Sequence, residues 1–187
     1  MFFIFFNVLF FSSIFNIFKT LLKFEDNKPF LVQKQNDNWI PLSAMKYIAK
    51  YLDMPYIKVY EVATFYSMYN LTPVGKYFFQ VCTTTPCMLR GAYNLVDVCK
   101  QKISDEENRL SEDGKTSWLE VECLGACVNA PMMQINDDYY EDLDKKKTLE
   151  ILDLILNGKM PKPGSYRGRI NSEPENNRKT LMDLKNA

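Results

Sequence analysis

Histidine is absent from this 187-residue chain. Its absence excludes a Ser-His-Asp or Cys-His catalytic pair, an HExxH zinc site, a His-ligated haem and a Rieske-type cluster. A metal bound here must use thiolates, carboxylates or main-chain groups. Net charge is also missing: 23 basic residues balance 23 acidic ones, so no overall positive field draws the chain to nucleic acid or anionic lipid. No G-x-G-x-x-G fingerprint occurs, which leaves the chain without a dinucleotide-binding turn of its own. Nor is there a C-x-x-C pair, the spacing a dithiol exchange enzyme carries at a helix start. Five cysteines is an odd number in a chain that is neither small nor cysteine-dense. That argues against a secreted disulfide scaffold and for metal or redox use in a reducing compartment.

What the chain does contain is core-forming material. Hydrophobic residues make up 47% of it, with 13 Phe and 11 Tyr, enough for one compact domain and a smaller appendage. Residues 1–18 read MFFIFFNVLFFSSIFNIF, with Lys19 the first charge. Length and polarity suit a membrane span or an export signal, yet the positive start and small-residue cleavage site of a signal peptide are missing. The segment is also poor in Arg and Ser beside a mitochondrial presequence. Three readings stay open for residues 1–22: a degenerate start, a buried or membrane-contacting helix, and a true span or targeting segment.

Asn36, Asp37 and Asn38 form a turn, after which residues 42–52 show helical periodicity through Met45, Ile48, Ala49 and Leu52. Asp53 is placed to cap a second helix over the aromatic stretch 56–69. Thr72, Pro73, Val74 and Gly75 break the pattern, so 23–72 reads as a helical subdomain. Beyond it, KYFFQV at 76–81 predicts a strand. A helix over about 86–103 follows, with Thr85 as N-cap and Pro86 at the first helical position. Residues 104–117 are charged, contain Asp113-Gly114 and predict an exposed loop. WLEVE at 118–122 is a further strand, and MMQI at 132–135 with YYEDL at 139–143 predicts a hairpin. Leu149, Leu152, Ile155 and Leu156 mark a final helix ending near Gly158. The acidic run Asp137, Asp138, Glu141, Asp142 and Asp144 reads as a solvated face, lacking the glycine and spacing of a calcium loop. This order of elements builds a small sheet covered by helices over 73–158, an α/β sandwich. The composition of 159–187 predicts an extended tail with no core of its own, either mobile or lying across a partner.

Two cysteine pairs stand out: Cys82-Thr-Thr-Thr-Pro-Cys87 and Cys123-Leu-Gly-Ala-Cys127. Each follows a predicted strand at the same end of a sheet, so two loops can converge on one metal centre. Four thiolates at about 2.3 Å from metal suit a diiron cluster or tetrahedral zinc, and ligand number does not separate them. Loop chemistry favours the cluster. Cluster sulfides and thiolates carry negative charge that buried surroundings penalise. Main-chain N–H groups, with small Gly125 and Ala126 letting the backbone approach, offset that penalty. The hydroxyls of Thr83, Thr84 and Thr85 are candidate donors, and Arg90 stands either to compensate charge or to face solvent. Cys99 shares its predicted helix with Leu95 and Val96 and reads as a small buried hydrophobe. Pro131 is a candidate for a cis bond. Structural zinc, disulfides and unligated core cysteines are the alternatives.

With these motifs in view, the sequence resembles the [2Fe–2S] subunit of respiratory NADH–quinone oxidoreductase (complex I), in its bacterial and mitochondrial forms. The similar stretches are VYEVATFYSMYN at 59–70, PVGKYFFQVCTTTPCMLRGA at 73–92, EVECLGACVNAPMMQINDDYYEDL at 120–143 and PKPGSYRGR at 161–169. The resemblance covers residues 33–187, departing in the Phe-rich opening and in the loop at 104–117. It implies a thioredoxin-like [2Fe–2S] ferredoxin domain behind a small N-terminal helical domain, with Cys82, Cys87, Cys123 and Cys127 as cluster ligands. It further implies a partner flavoprotein subunit that binds NADH and FMN, and a larger iron–sulfur subunit in the same module. On that reading the chain exchanges single electrons with the partner's FMN during NADH oxidation and quinone reduction. It is a subunit of an oxidoreductase, and alone a carrier without an NADH site. The implied location is peripheral, on the cytoplasmic face of a bacterial inner membrane or the matrix side of the mitochondrial one. The small diaphorase subunit of an NAD-linked hydrogenase or formate dehydrogenase is the rival within the fold.

Overall fold

The computed structural model describes residues 28–176, so the hydrophobic opening segment and the end of the tail lie outside the described residues. The chain separates into two compact units, divided between Val74 and Gly75. No helix among the described residues is long and apolar enough to cross a membrane.

The first unit carries helices α1 (Lys28–Gln35), α2 (Leu42–Tyr51) and α3 (Tyr56–Phe65). Met45, Ile48 and Ala49 share one face of α2 and bury with Val59, Val62 and Ala63 of α3, the spacing an amphipathic helix requires. Gln33 ties the returning chain, donating to the Met68 carbonyl at 3.0 Å and accepting from the Asn70 N–H at 2.8 Å. The helix expected over 56–69 ends at Phe65, and Tyr66 is already extended. Aromatic and β-branched residues there weaken the helical preference. Pro55, rather than Asp53, occupies the N-cap position of α3.

The second unit runs β1 (Tyr77–Cys82), α4 (Thr85–Leu89), α5 (Ala92–Lys102), β2 (Thr116–Val121), a 3-10 turn (Cys127–Asn129), β3 (Met133–Ile135), β4 (Asp138–Glu141), α6 (Lys145–Leu156) and β5 (Gly164–Ser165). The sheet order is β2-β1-β3-β4-β5. β1 is parallel to β2 and antiparallel to β3, β3 and β4 form the expected hairpin, and β4 is parallel to β5. Register aligns Trp118, Phe79 and Ile135 in one row and Val81, Met133 and Tyr140 in another. Directly opposed residues share a face, and here that face packs with Leu95, Val96, Val98 and Cys99 of α5 and Ile151, Leu152 and Ile155 of α6. Trp118 is fully buried, its indole N–H donating to the Ser104 carbonyl at 2.8 Å. Asp144 caps α6, its carboxylate accepting the Lys147 N–H at 2.8 Å.

Further expectations need correction. The helix expected over 86–103 is two helices, broken at Arg90 and Gly91, where Gly91 takes φ 93°. Apolar periodicity continues across the break, so only the glycine betrays it. Thr84, not Thr85, is the N-cap of α4, and it makes no side-chain capping bond. The loop at 104–117 is mostly exposed, but its last two residues, Thr116 and Ser117, are buried as the start of β2. Asp142 lies outside the solvated acidic face: its side chain is buried and ion-paired with Arg169. That pair attaches to the domain the stretch expected to be an extended tail, mobile or lying across a partner, and the same stretch contributes β5 beside β4.

Replacing Trp118 with Ala removes the largest buried side chain of the sheet core and orphans the Ser104 carbonyl. We expect a loss of about 3–5 kcal/mol in folding free energy, measured by urea denaturation. A loss below about 1 kcal/mol would mean that the core does not rest on this side chain.

Candidate metal centre

Parallel pairing sets Cys82, the last residue of β1, opposite Val121, the last of β2. The chain therefore leaves both strands at the same end of the sheet, and each exit begins a cysteine loop. Because side chains alternate along a strand, Cys82 turns away from the Val81 face. It joins Cys87, Ala92, Ala130 and Met132 in a separate small cluster, against which Leu124, Ala126 and Tyr139 pack. The two loops thus share one apolar wall. Pro86 opens α4 and carries Cys87 into this wall, leaving both Cys82 and Cys87 buried.

The second loop is shaped by Gly125, whose φ of 85° lies in the left-handed region. That turn aims the Gly125 N–H at Cys123 Sγ, 3.4 Å away, and returns Cys127 so that the two sulfurs are 3.3 Å apart. Tetrahedral coordination with metal–sulfur legs of about 2.3 Å has an edge of about 3.8 Å, so these two sulfurs already stand near the separation that two ligands of one metal require. Cys123 is exposed and Cys127 half-buried. Among the described residues, no three Cys, Asp or Glu side chains converge on a point that one metal ion could fill.

The thiols divide by environment. Burial, then the hydrogen bond and charge of Cys82, push the Cys87 thiol up to about 12, with repulsion from Cys127 adding to this and the Met132 N–H opposing it. Cys123 moves the other way: the Gly125 N–H and the Cys127 thiol hold it below the ordinary range, while Glu122 opposes. Cys127 is raised by its bond to Cys123, by burial, and by the charges of Cys123 and Cys82. These couplings link all four sulfurs. Cys99 stands apart, fully buried in the core, where burial pushes its thiol up to about 12.

The sequence profile of the thioredoxin-like [2Fe–2S] ferredoxins matches residues 30–156. The chain belongs to that family. It is homologous to the E-type subunit of bacterial NADH-quinone oxidoreductase. The Rickettsia bellii protein of that kind is 54% identical over 127 residues, covering 68% of this chain and 76% of the relative. The Rickettsia prowazekii one is 53% identical, covering 68% and 72% respectively. Among solved structures, an NAD+-reducing [NiFe]-hydrogenase in the air-oxidized state superposes with a TM-score of 0.58 at 17% identity. That match covers 70% of this chain but 23% of the hydrogenase chain, and it speaks to the fold alone.

The local chemistry fits the group for which this ferredoxin family is named. The Thr84 hydroxyl, between Cys82 and Cys87 in sequence, is buried without a hydrogen-bond partner among the described residues, and an unpaired buried donor there suits a sulfur acceptor. Thr83, also a candidate donor, is instead engaged with Glu120 at 2.6 Å. Arg90 faces solvent and pairs with Glu175 at 3.3 Å. Sequence reasoning missed what holds the second loop. Tyr139 donates its hydroxyl to the Leu124 carbonyl at 2.8 Å, and the Asp142 N–H donates to the Asn129 carbonyl, also at 2.8 Å. Both come from the hairpin that follows the loop; the hairpin was legible in the sequence, but these two bonds to the loop were not. The Ala130–Pro131 peptide bond is cis.

On the metal-free chain at neutral pH, iodoacetamide should modify Cys123 first, because the thiolate is the nucleophile and its pKa is lowered. Cys87 and Cys99 should resist until the chain unfolds. The Cys123 rate should rise with pH and level off below the pH at which an ordinary thiol does. Peptide mass spectrometry reads the order, and equal labelling of Cys87 and Cys123 would contradict this geometry.

Proposed function

We propose that the chain is an electron-transfer subunit of an NADH–quinone oxidoreductase, holding one [2Fe–2S] cluster on Cys82, Cys87, Cys123 and Cys127. The carrying observation is the arrival of two cysteine loops at one end of a parallel strand pair, where Leu124 and Ala126 of the second loop pack against the cluster that holds Cys82 and Cys87 of the first. Backbone N–H access to the sulfurs, as at Gly125, and the membership of the chain in the thioredoxin-like [2Fe–2S] ferredoxin family support a diiron cluster over structural zinc. When bound, the cluster supplies a reversible one-electron site.

The chain's own residues divide the remaining work. Cys82 and Cys87 hold the inner side, where Ala92, Ala130 and Met132 exclude water. Cys123 and Cys127 hold the outer side, and exposure of Cys123 keeps that edge close to a docking partner. The Gly125 N–H offsets negative charge on Cys123 Sγ, and the Thr84 hydroxyl is available to do the same on the inner side. Such contacts stabilise the more negative state and tune the potential.

NADH and FMN belong on a partner flavoprotein, since this chain has no dinucleotide fingerprint. A larger iron–sulfur subunit completes the module, and single electrons pass between the partner's FMN and this chain. Such a subunit sits peripherally, on the cytoplasmic face of a bacterial inner membrane or the matrix side of the mitochondrial one. Sequence identity of 54% to the Rickettsia oxidoreductase subunit favours this assembly over the hydrogenase one, whose likeness is at 17%.

Anaerobically purified protein should carry about two iron atoms and two acid-labile sulfides per chain, and dithionite should produce a rhombic EPR signal. Cys123→Ser should lose the cluster while Cys99→Ser keeps it. Tightly bound zinc without sulfide, or equal loss in both variants, would defeat the assignment.

A further inference from the structure

We propose that residues 164–173 form a built-in clamp on the Cys127 turn, with Arg169 as its positioning residue. The inference rests on the reading that Cys127 is a cluster ligand. Arg169 Nε donates to Asp142 at 2.9 Å, and a terminal nitrogen of the same guanidinium pairs with the other oxygen of that carboxylate. The fork also reaches the Val128 carbonyl at 3.1 Å and the Glu173 carbonyl at 3.0 Å. One side chain therefore joins the end of β4, the residue after Cys127 and the distal segment.

Burial makes this junction more than a surface pair. The Asp142 side chain is fully buried and the Arg169 side chain is 7% exposed. Burial pushes the Asp142 carboxyl up, but hydrogen bonds from Arg169 and Ser165, with the charges of Arg169 and Arg167, outweigh it and hold it below the usual carboxylate range. Both groups are charged, so neither can leave without stranding the other. Ser165 adds a bond to Asp142 at 2.5 Å. A second tie runs beside it: Asn129 Nδ2 donates to the Asn171 carbonyl at 2.8 Å and to Glu141 at 2.6 Å. Val128 and Asn129 thus both hang from the distal segment, and with Cys127 they make up the whole 3-10 turn.

Groups that orient a metal ligand govern how firmly the metal is held, typically by a factor of about 10–100. Lysine at position 169 keeps a charge for Asp142 but cannot supply a planar fork to three acceptors. Arg169→Lys should therefore fold and load normally, yet release iron to a chelator about tenfold faster than the parent. The EPR signal of the reduced protein should shift or broaden, which a remote loss of stability would not cause. In the metal-free full-length chain, Cys127 should be alkylated several-fold faster in Arg169→Lys, with Cys123 unchanged. Lys146→Gln, which removes an exposed charge on α6, is the control and should match the parent. Parental release rate, EPR signal and Cys127 labelling in both Arg169→Lys and Arg169→Gln would overturn the clamp. If the parent chain binds no cluster, the functional reading falls, while the labelling experiment still judges the clamp by itself.

Discussion

Parallel pairing of β1 with β2 is the constraint from which the site follows. Two parallel strands end at the same edge, so the chain segments that leave them begin as neighbours. Here those segments are the two cysteine loops, and the register brings Cys82 level with Val121. An antiparallel pair would have sent the loops to opposite edges. The register in turn depends on the core rows of Trp118, Phe79 and Ile135 and of Val81, Met133 and Tyr140. A slip of one residue would carry each row to the other face. Core packing and ligand geometry are therefore one requirement.

The site is asymmetric, and the asymmetry has chemical use. Its inner cysteines are buried, and the Cys87 thiol is held protonated by desolvation and by its sulfur neighbours. In the proposed assignment, metal binding would displace that proton, so loading would release protons and be disfavoured as pH falls. Of the outer cysteines, Cys127 is half-buried and Cys123 exposed, the latter biased toward thiolate by a main-chain N–H. A buried pair beside an exposed Cys123 suits the proposed carrier, which would have to keep its cofactor and still exchange electrons.

Much of this was legible in residue order. The hairpin was visible because strand residues flank Asn136-Asp137-Asp138, and α6 because Leu149, Leu152, Ile155 and Leu156 follow helical spacing. The cysteine spacings, following two strand-like runs, pointed to one centre. What stayed hidden depends on contacts between distant residues. Asp142 reads as one more acidic surface residue until Arg169, 27 positions later, lies against it. The distal stretch is rich in Pro, Gly and charge and looks unpacked by composition, yet its attachment is made by a few polar bonds rather than by apolar periodicity. The break at Gly91 was hidden for the opposite reason, since burial continues on both sides of it. Thr84 could be named as a donor, but only the fold distinguishes its unpartnered hydroxyl from that of Thr83, which Glu120 occupies.

Mössbauer spectroscopy of the oxidised, iron-loaded chain tests the central claim most directly, because it reports how many iron atoms share the four sulfurs. Two loops closing on a two-iron centre predict a diamagnetic ground state from paired ferric ions, each with tetrahedral sulfur parameters. A single paramagnetic ferric site, or iron bound only when one loop's cysteines are present and indifferent to the other's, would contradict it.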